Sequence, residues 1–136
     1  MKGKEIHIET VKRGFEGEVL LGNTLIDMYA KFGFLAETQQ IFSQLVVQDV
    51  VGWTSLIAGY AEDHGLDALR FLEQMQQEGV SPDAITYVFG LKACGDIRAL
   101  FKGEELHSRI SREMLFQKDI FVGSTLLDMY MKCGCL

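Results

Sequence analysis

The side chains that could carry covalent or metal chemistry are few and badly spaced for it. His7-Ile8-Glu9 has the H-x-E order of zinc deaminases. Those enzymes also need P-C-x-x-C to complete the metal site. Cys133-Gly-Cys135 has the wrong spacing and no proline. No Ser/His/Asp set, glycine-rich phosphate loop or carboxylate pair stands out, so the chain is not expected to be an enzyme or to hold a cofactor or metal. Cys94, Cys133 and Cys135 are odd in number and read as reduced thiols in an intracellular compartment. What remains is hydrogen-bonding chemistry. Asn23, Thr54 and Ser124 fall early in predicted helices, and Asp49, Asp83 and Asp119 precede helices. Capping preference and the helix dipole would explain each residue singly. Their joint recurrence in one frame asks for more.

That frame comes from the elements that position them. The stretch Val19 to Leu35 returns as Ile120 to Leu136, 101 residues later, with Gly22/Gly123, Asp27/Asp128, Met28/Met129, Tyr29/Tyr130 and Lys31/Lys132 among the identities. A fixed-period echo of this kind marks a repeat protein. Apolar residues follow helical spacing throughout. Leu25, Ile26, Tyr29 and Ala30 mark one helix, and Ile41, Phe42 and Leu45 the next. Leu56, Ile57, Tyr60 and Ala61 mark the third, and Leu69, Leu72 and Met75 the fourth. Tyr87, Leu91 and Cys94 mark the fifth, Leu106 and Ile110 the sixth, and a seventh runs from Phe121. Trp53, aligned with Tyr87, reads as packing. Gly3-Lys4-Glu5-Ile6-His7 matches Gly103-Glu104-Glu105-Leu106-His107, so the chain is expected to open on the second helix of a hairpin, closed at Lys12-Arg13-Gly14-Phe15. His7 and His107 should pack between helices.

Leu20, Val51, Ile85 and Phe121 are equivalent, at intervals of 31, 34 and 36 residues. Three hairpins of unequal length thus make one super-period. The stretches GNTLIDMYAKFG, DVVGWTSLIAGYA, ALRFLEQMQQEGVSPD and VGSTLLDMYMKCGCL resemble the pentatricopeptide repeats of plant organelles. The interval pattern resembles their PLS-type arrays. The resemblance implies an all-α, right-handed solenoid of antiparallel helix-turn-helix repeats. Its units would be 3–18 (a partial repeat, second helix), 19–49 (short), 50–83 (ordinary), 84–119 (long) and 120–136 (a partial repeat, first helix).

The resemblance also implies one RNA base per repeat, read by two side chains. The pairs would be Asn23 with Asp49, Thr54 with Asp83, and Val88 with Asp119, and Ser124 would begin a fourth. Leu20, Val51, Ile85 and Phe121 would flank the bases. Lys31 and Lys132 resemble phosphate-facing lysines, although Glu62 and Asp96 stand in that place in the middle units. By the family pattern Asn with Asp favours uracil and Thr with Asp favours guanine, while Val88 cannot hydrogen-bond and should discriminate poorly. The carboxylates suit uracil N3–H and guanine N1–H, which are donors where adenine and cytosine present acceptors. The expected partner is single-stranded RNA in a mitochondrion or chloroplast, serving RNA processing or C-to-U editing. An editing deaminase would be a separate domain or a partner in trans.

The net charge of −6 counts against unspecific nucleic-acid binding, so any RNA reading rests on local placement of side chains. The chain has no apolar run approaching a membrane span and no N-terminal signal or transit-peptide pattern. A protein-binding scaffold of the tetratricopeptide type is the rival reading, but its units keep a constant length of about 34 residues. An inactive fragment with exposed apolar ends and marginal solubility is a third. Three local departures are expected to matter. The ordinary unit is one residue short around Asp63-His64-Gly65, Gly90 interrupts the fifth helix, and Met114 replaces a glycine stop at the end of the sixth.

Overall fold

Residues 19–45, 48–115 and 119–135 are described by a computed structural model. The expected partial repeat at 3–18, with His7 and the Lys12-Arg13-Gly14-Phe15 stop, lies outside these residues, as does Leu136. Seven helices and no strand are present among the described residues. They are α1 (Val19–Lys31), α2 (Leu35–Gln44), α3 (Val50–Ala61), α4 (Gly65–Gln77), α5 (Ala84–Asp96), α6 (Leu100–Arg112) and α7 (Ile120–Lys132). Each of the seven helices expected from Leu25 onward is found, and its apolar stripe is the face it buries. Ile26, Ile41, Leu56, Ile57, Leu72, Met75, Leu91, Leu106 and Ile110 are fully enclosed, as are Trp53, Tyr87 and Cys94. The result is an all-α solenoid of antiparallel hairpins.

The starts of the first helices α3, α5 and α7 are set by aspartate. Asp49, Asp83 and Asp119 are extended N-caps whose carboxylates accept from Gly52 N (3.0 Å), Thr86 N (3.0 Å) and Phe121 N (2.9 Å). Each satisfies a backbone donor that the helix itself cannot. Asp83 goes further and forms a capping box with Thr86. The second helices α2, α4 and α6 start without a side-chain cap, at Phe34, His64 and Ala99.

The turns explain the departures seen in the sequence. Gly33 and Arg98 take left-handed conformations (φ +79° and +57°) between first and second helices. The α3–α4 turn omits that residue: Glu62 stays right-handed and His64 N bonds Tyr60 O at 2.8 Å. The missing residue of the ordinary unit is therefore the left-handed one. Gly79 (φ +82°) ends α4, and Val80 N folds back to Met75 O at 3.1 Å, as the sequence suggests.

Two expectations are revised. The sixth helix keeps its stop without a glycine, because Met114 itself turns left-handed (φ +58°) and Leu115 after it packs against the core. Gly90 does more than weaken a helix. A Cβ there would meet Leu72 Cδ2 at 2.9 Å and Leu106 Cδ1 at 3.2 Å, so its absence lets α4, α5 and α6 close together.

The first helices pack in file, α1 on α3, α3 on α5 and α5 on α7. The second helices stand further apart. A groove of about 690 Å³ opens beside Gln39 of α2 and Asp67, Arg70, Phe71 and Gln74 of α4. Contact between α4 and α6 is made by long side chains, Lys102 to Glu73 (2.9 Å) and Arg109 to Gln76. The Lys102 ammonium holds the Glu73 carboxyl below its usual range by hydrogen bonding and charge.

Candidate nucleic-acid interface

The starts of neighbouring first helices are tied side to side. Asn23, in the second turn of α1, donates from Nδ2 to Asp49 Oδ1 at 3.1 Å. The same oxygen caps α3 through Gly52 N. Asn23 is 9% exposed, and its Oδ1 is buried without a partner against Gly52. Thr54 holds the matching place in α3. Its hydroxyl lies 2.6 Å from Val50 O and 2.8 Å from the Thr86 hydroxyl, which in turn donates to Asp83 Oδ1 at 2.8 Å. Asn23 therefore meets Asp49 directly, and Thr54 meets Asp83 through Thr86.

The third pair has no such link. Val88 is half-buried against the core, and Asp119 caps α7 through Phe121 N. Ser124 is exposed in the second turn of α7. Thr86 and Gly52 were not singled out by their types. The Asp83-x-x-Thr86 spacing of a capping box was the available signal for the first. Nothing in the sequence marks Gly52 apart from its fit beneath the Asn23 amide.

Apolar side chains accompany this polar row. Val51, Ile85 and Phe121 are each the second residue of a first helix, and they are 54%, 57% and 72% exposed. Leu66 and Phe101, at the second position of the second helices α4 and α6, are exposed as well, so what sets this row apart is its place beside the polar row. Leu20 holds the same position in α1, in the first turn.

The far ends of the first helices carry charge in pairs. Lys31 bonds Asp27 of its own helix at 2.9 Å. Lys132 lies 3.1 Å from Asp128 and 3.2 Å from Asp96 of α5, and these two carboxylates raise its affinity for the proton. Lys92 likewise pairs with Glu62 across α3 and α5. Neither sequence-predicted phosphate lysine stands free of a carboxylate. His107 packs against α7, with Nδ1 2.8 Å from the Tyr130 hydroxyl, as its place between helices implies. Cys94 is enclosed, Cys133 half-buried and Cys135 exposed, and all three are free thiols. Among the described residues no cluster of His, Cys, Asp and Glu could hold a metal, and no helix is long and apolar enough to cross a membrane.

A sequence model of the PPR repeat matches residues 23–50, and one of the PPR repeat family matches residues 48–96. The chain belongs to the pentatricopeptide repeat family. A chloroplastic pentatricopeptide repeat-containing protein of Arabidopsis thaliana is 41% identical over 97% of this chain and 21% of its own length. A mitochondrial one from the same plant is 36% identical over 100% of this chain and 22% of its own length. The chain thus spans about a fifth of the pentatricopeptide relatives it matches. Among solved structures, that of the pentatricopeptide repeat protein PPR10 from maize superposes with a TM-score of 0.69 and 24% identity, over 93% of this chain and 19% of that one. The likeness is one of fold, and it matches the hairpin solenoid described above.

Proposed function

We propose that the chain is a PLS-type segment of a pentatricopeptide array that binds single-stranded RNA in sequence, one nucleotide to each hairpin. The reading divides it into a short repeat (19–49), an ordinary repeat (50–83), a long repeat (84–119) and partial repeats at 3–18 and 120–136. The observation that carries it is the repeated register at the starts of the first helices. Val51, Ile85 and Phe121 are exposed there, each three residues ahead of Thr54, Val88 and Ser124. At Thr54 and Ser124, where the neighbour is polar, this suits a base, which offers a flat face to the apolar side chain and a hydrogen-bonding edge to the hydroxyl.

On this reading Asn23 with Asp49 favours uracil, Thr54 with Asp83 favours guanine, and Val88 with Asp119 adds little. Lys31 and Lys132 would approach phosphate only by giving up their carboxylate partners. With a net charge of −6, affinity comes from base contacts more than from general attraction to the backbone. The relatives named as chloroplastic and mitochondrial support an organellar setting. There such a segment would position RNA processing or C-to-U editing, with the deaminase supplied by another domain or a partner.

The test is fluorescence anisotropy with short single-stranded RNAs that vary two adjacent nucleotides around U-G. Each matched base is expected to improve binding by about 1–3 kcal/mol, roughly 5-fold to 150-fold. Asn23→Ala should erase the preference at the uracil and Asp83→Ala that at the guanine. Equal affinity for every sequence removes the base-reading function.

A further inference from the structure

We propose that the third residue of a first helix is a positioning residue for the base reader of the preceding hairpin, with Gly52 acting on Asn23 and Thr86 acting on Thr54. The proposal rests on the base-reading function above and adds residues to it. Three junctions between first helices can be compared, and each holds its reader differently.

Between α1 and α3 the third residue is Gly52. Its N–H and the Asn23 amide share Asp49 Oδ1, at 3.0 and 3.1 Å. A Cβ on Gly52 would lie 2.7 Å from Asn23 Oδ1. The amide therefore occupies the space that any larger third residue would take, and it is oriented with Nδ2 toward the carboxylate. The bare third position permits the direct Asn23–Asp49 contact.

Between α3 and α5 the third residue is Thr86, fully buried. Its hydroxyl stands between the two readers, 2.8 Å from Thr54 Oγ1 and 2.8 Å from Asp83 Oδ1. A carboxylate only accepts, so the Thr86 proton goes to Asp83 and its oxygen faces Thr54 as an acceptor. Thr54 has one proton, which it can give to Thr86 or to Val50 O at 2.6 Å. Either way Thr54 meets a base with lone pairs alone. It then favours guanine, which offers N–H at both N1 and N2, over adenine and cytosine, whose ring nitrogen accepts and leaves a single amino group to donate. Asp83 acts on the base through Thr86 by fixing the direction of this chain.

Between α5 and α7 the third residue is Val122, buried and apolar. It offers no relay, and Val88 offers nothing to hold. The three third residues thus correspond to a direct hold, a relayed hold and none.

Thr86→Val is close to isosteric. It keeps the bond from the residue 86 N–H to Asp83 Oδ1 and removes the three hydroxyl links, to Thr54, to Asp83 Oδ1 and from Asp83 N. In the anisotropy assay it should cut the preference for guanine over adenine at the nucleotide facing Thr54 by about fivefold. The preference for uracil over adenine at the Asn23 nucleotide should not change, and Thr86→Ser should restore the wild-type profile. Gly52→Ala should do the reverse, weakening discrimination at the Asn23 nucleotide alone. Circular dichroism verifies that each variant is folded. A folded Thr86→Val protein that keeps its guanine preference overturns the proposal and leaves base reading standing. A wild-type chain without preference at either nucleotide removes base reading, and this proposal with it.

Discussion

Asn23 of α1 and Asp49 at the start of α3 are joined at 3.1 Å, so one carboxylate caps its own helix and holds a side chain of the helix beside it. Asp49→Ala should therefore cost more than a cap. Losing the cap and stranding a buried amide together amount to about 2 kcal/mol. Asp119, whose carboxylate bonds Phe121 N and no other described residue, supplies the comparison, and Asp119→Ala should cost about 1 kcal/mol. Urea unfolding followed by helical circular dichroism measures both. Equal losses would mean that the Asn23 bond contributes nothing.

Two glycines in equivalent helices should respond to alanine with opposite signs. Gly123 has open space around its missing Cβ, so Gly123→Ala should stabilise α7 by about 1 kcal/mol through helix propensity. Gly90→Ala gains the same propensity but drives a methyl to 2.9 Å from Leu72 and 3.2 Å from Leu106, both fully enclosed. Overpacking of this kind costs about 1–3 kcal/mol, so the net effect should be destabilising. A Gly90→Ala protein with a raised melting temperature would show that α4 can shift.

Met114 and Arg98 hold conformations that glycine adopts without strain. Met114→Gly should stabilise the end of α6 by roughly 0.5–1 kcal/mol, the left-handed penalty less the extra entropy of glycine in the unfolded chain. The same change at Arg98 should help similarly. An unchanged urea midpoint for both would place the strain elsewhere.

Burial pushes the Cys94 thiol from its ordinary 9.0 up to about 12. Burial, with Glu113 beside it, pushes the Tyr87 phenol from 10.0 up to about 12. Both groups hold their protons more tightly folded than unfolded. Their contribution to stability is complete below about pH 9 and is lost as pH rises toward 12. Unfolding free energy measured across that range should fall, and Cys94→Ala should flatten the lower part of the decline. At pH 8 the exposed Cys135 should react with a thiol reagent long before Cys94.

The fold was open to reading because each hairpin repeats one helical pattern, and the buried residues are those the pattern marks. Leu56, Ile57, Leu72 and Leu91 could be assigned from spacing alone, since helical period and burial are the same information. Met114 could not, because its side chain disfavours the left-handed conformation, and only the structure shows Leu115 packed beside it. At the candidate site, the frame marked Asn23, Asp49, Thr54 and Asp83 as equivalent positions. It did not reveal that Thr86 stands between two of them or that Gly52 leaves room for Asn23. Those relations depend on how close adjacent hairpins approach, a distance that no single repeat encodes.

The first helices share a continuous apolar core, with Lys92–Glu62 and Lys132–Asp96 only at its edge, whereas α4 and α6 reach each other through Lys102–Glu73 and Arg109–Gln76, with a groove open between α2 and α4. Dissolved ions screen exposed charge pairs and leave apolar contacts alone. The molecule is thus a ribbon with one firm margin and one yielding margin. Added salt should let the yielding margin spread, and the radius of gyration from X-ray scattering should drift with ionic strength while helix content stays fixed.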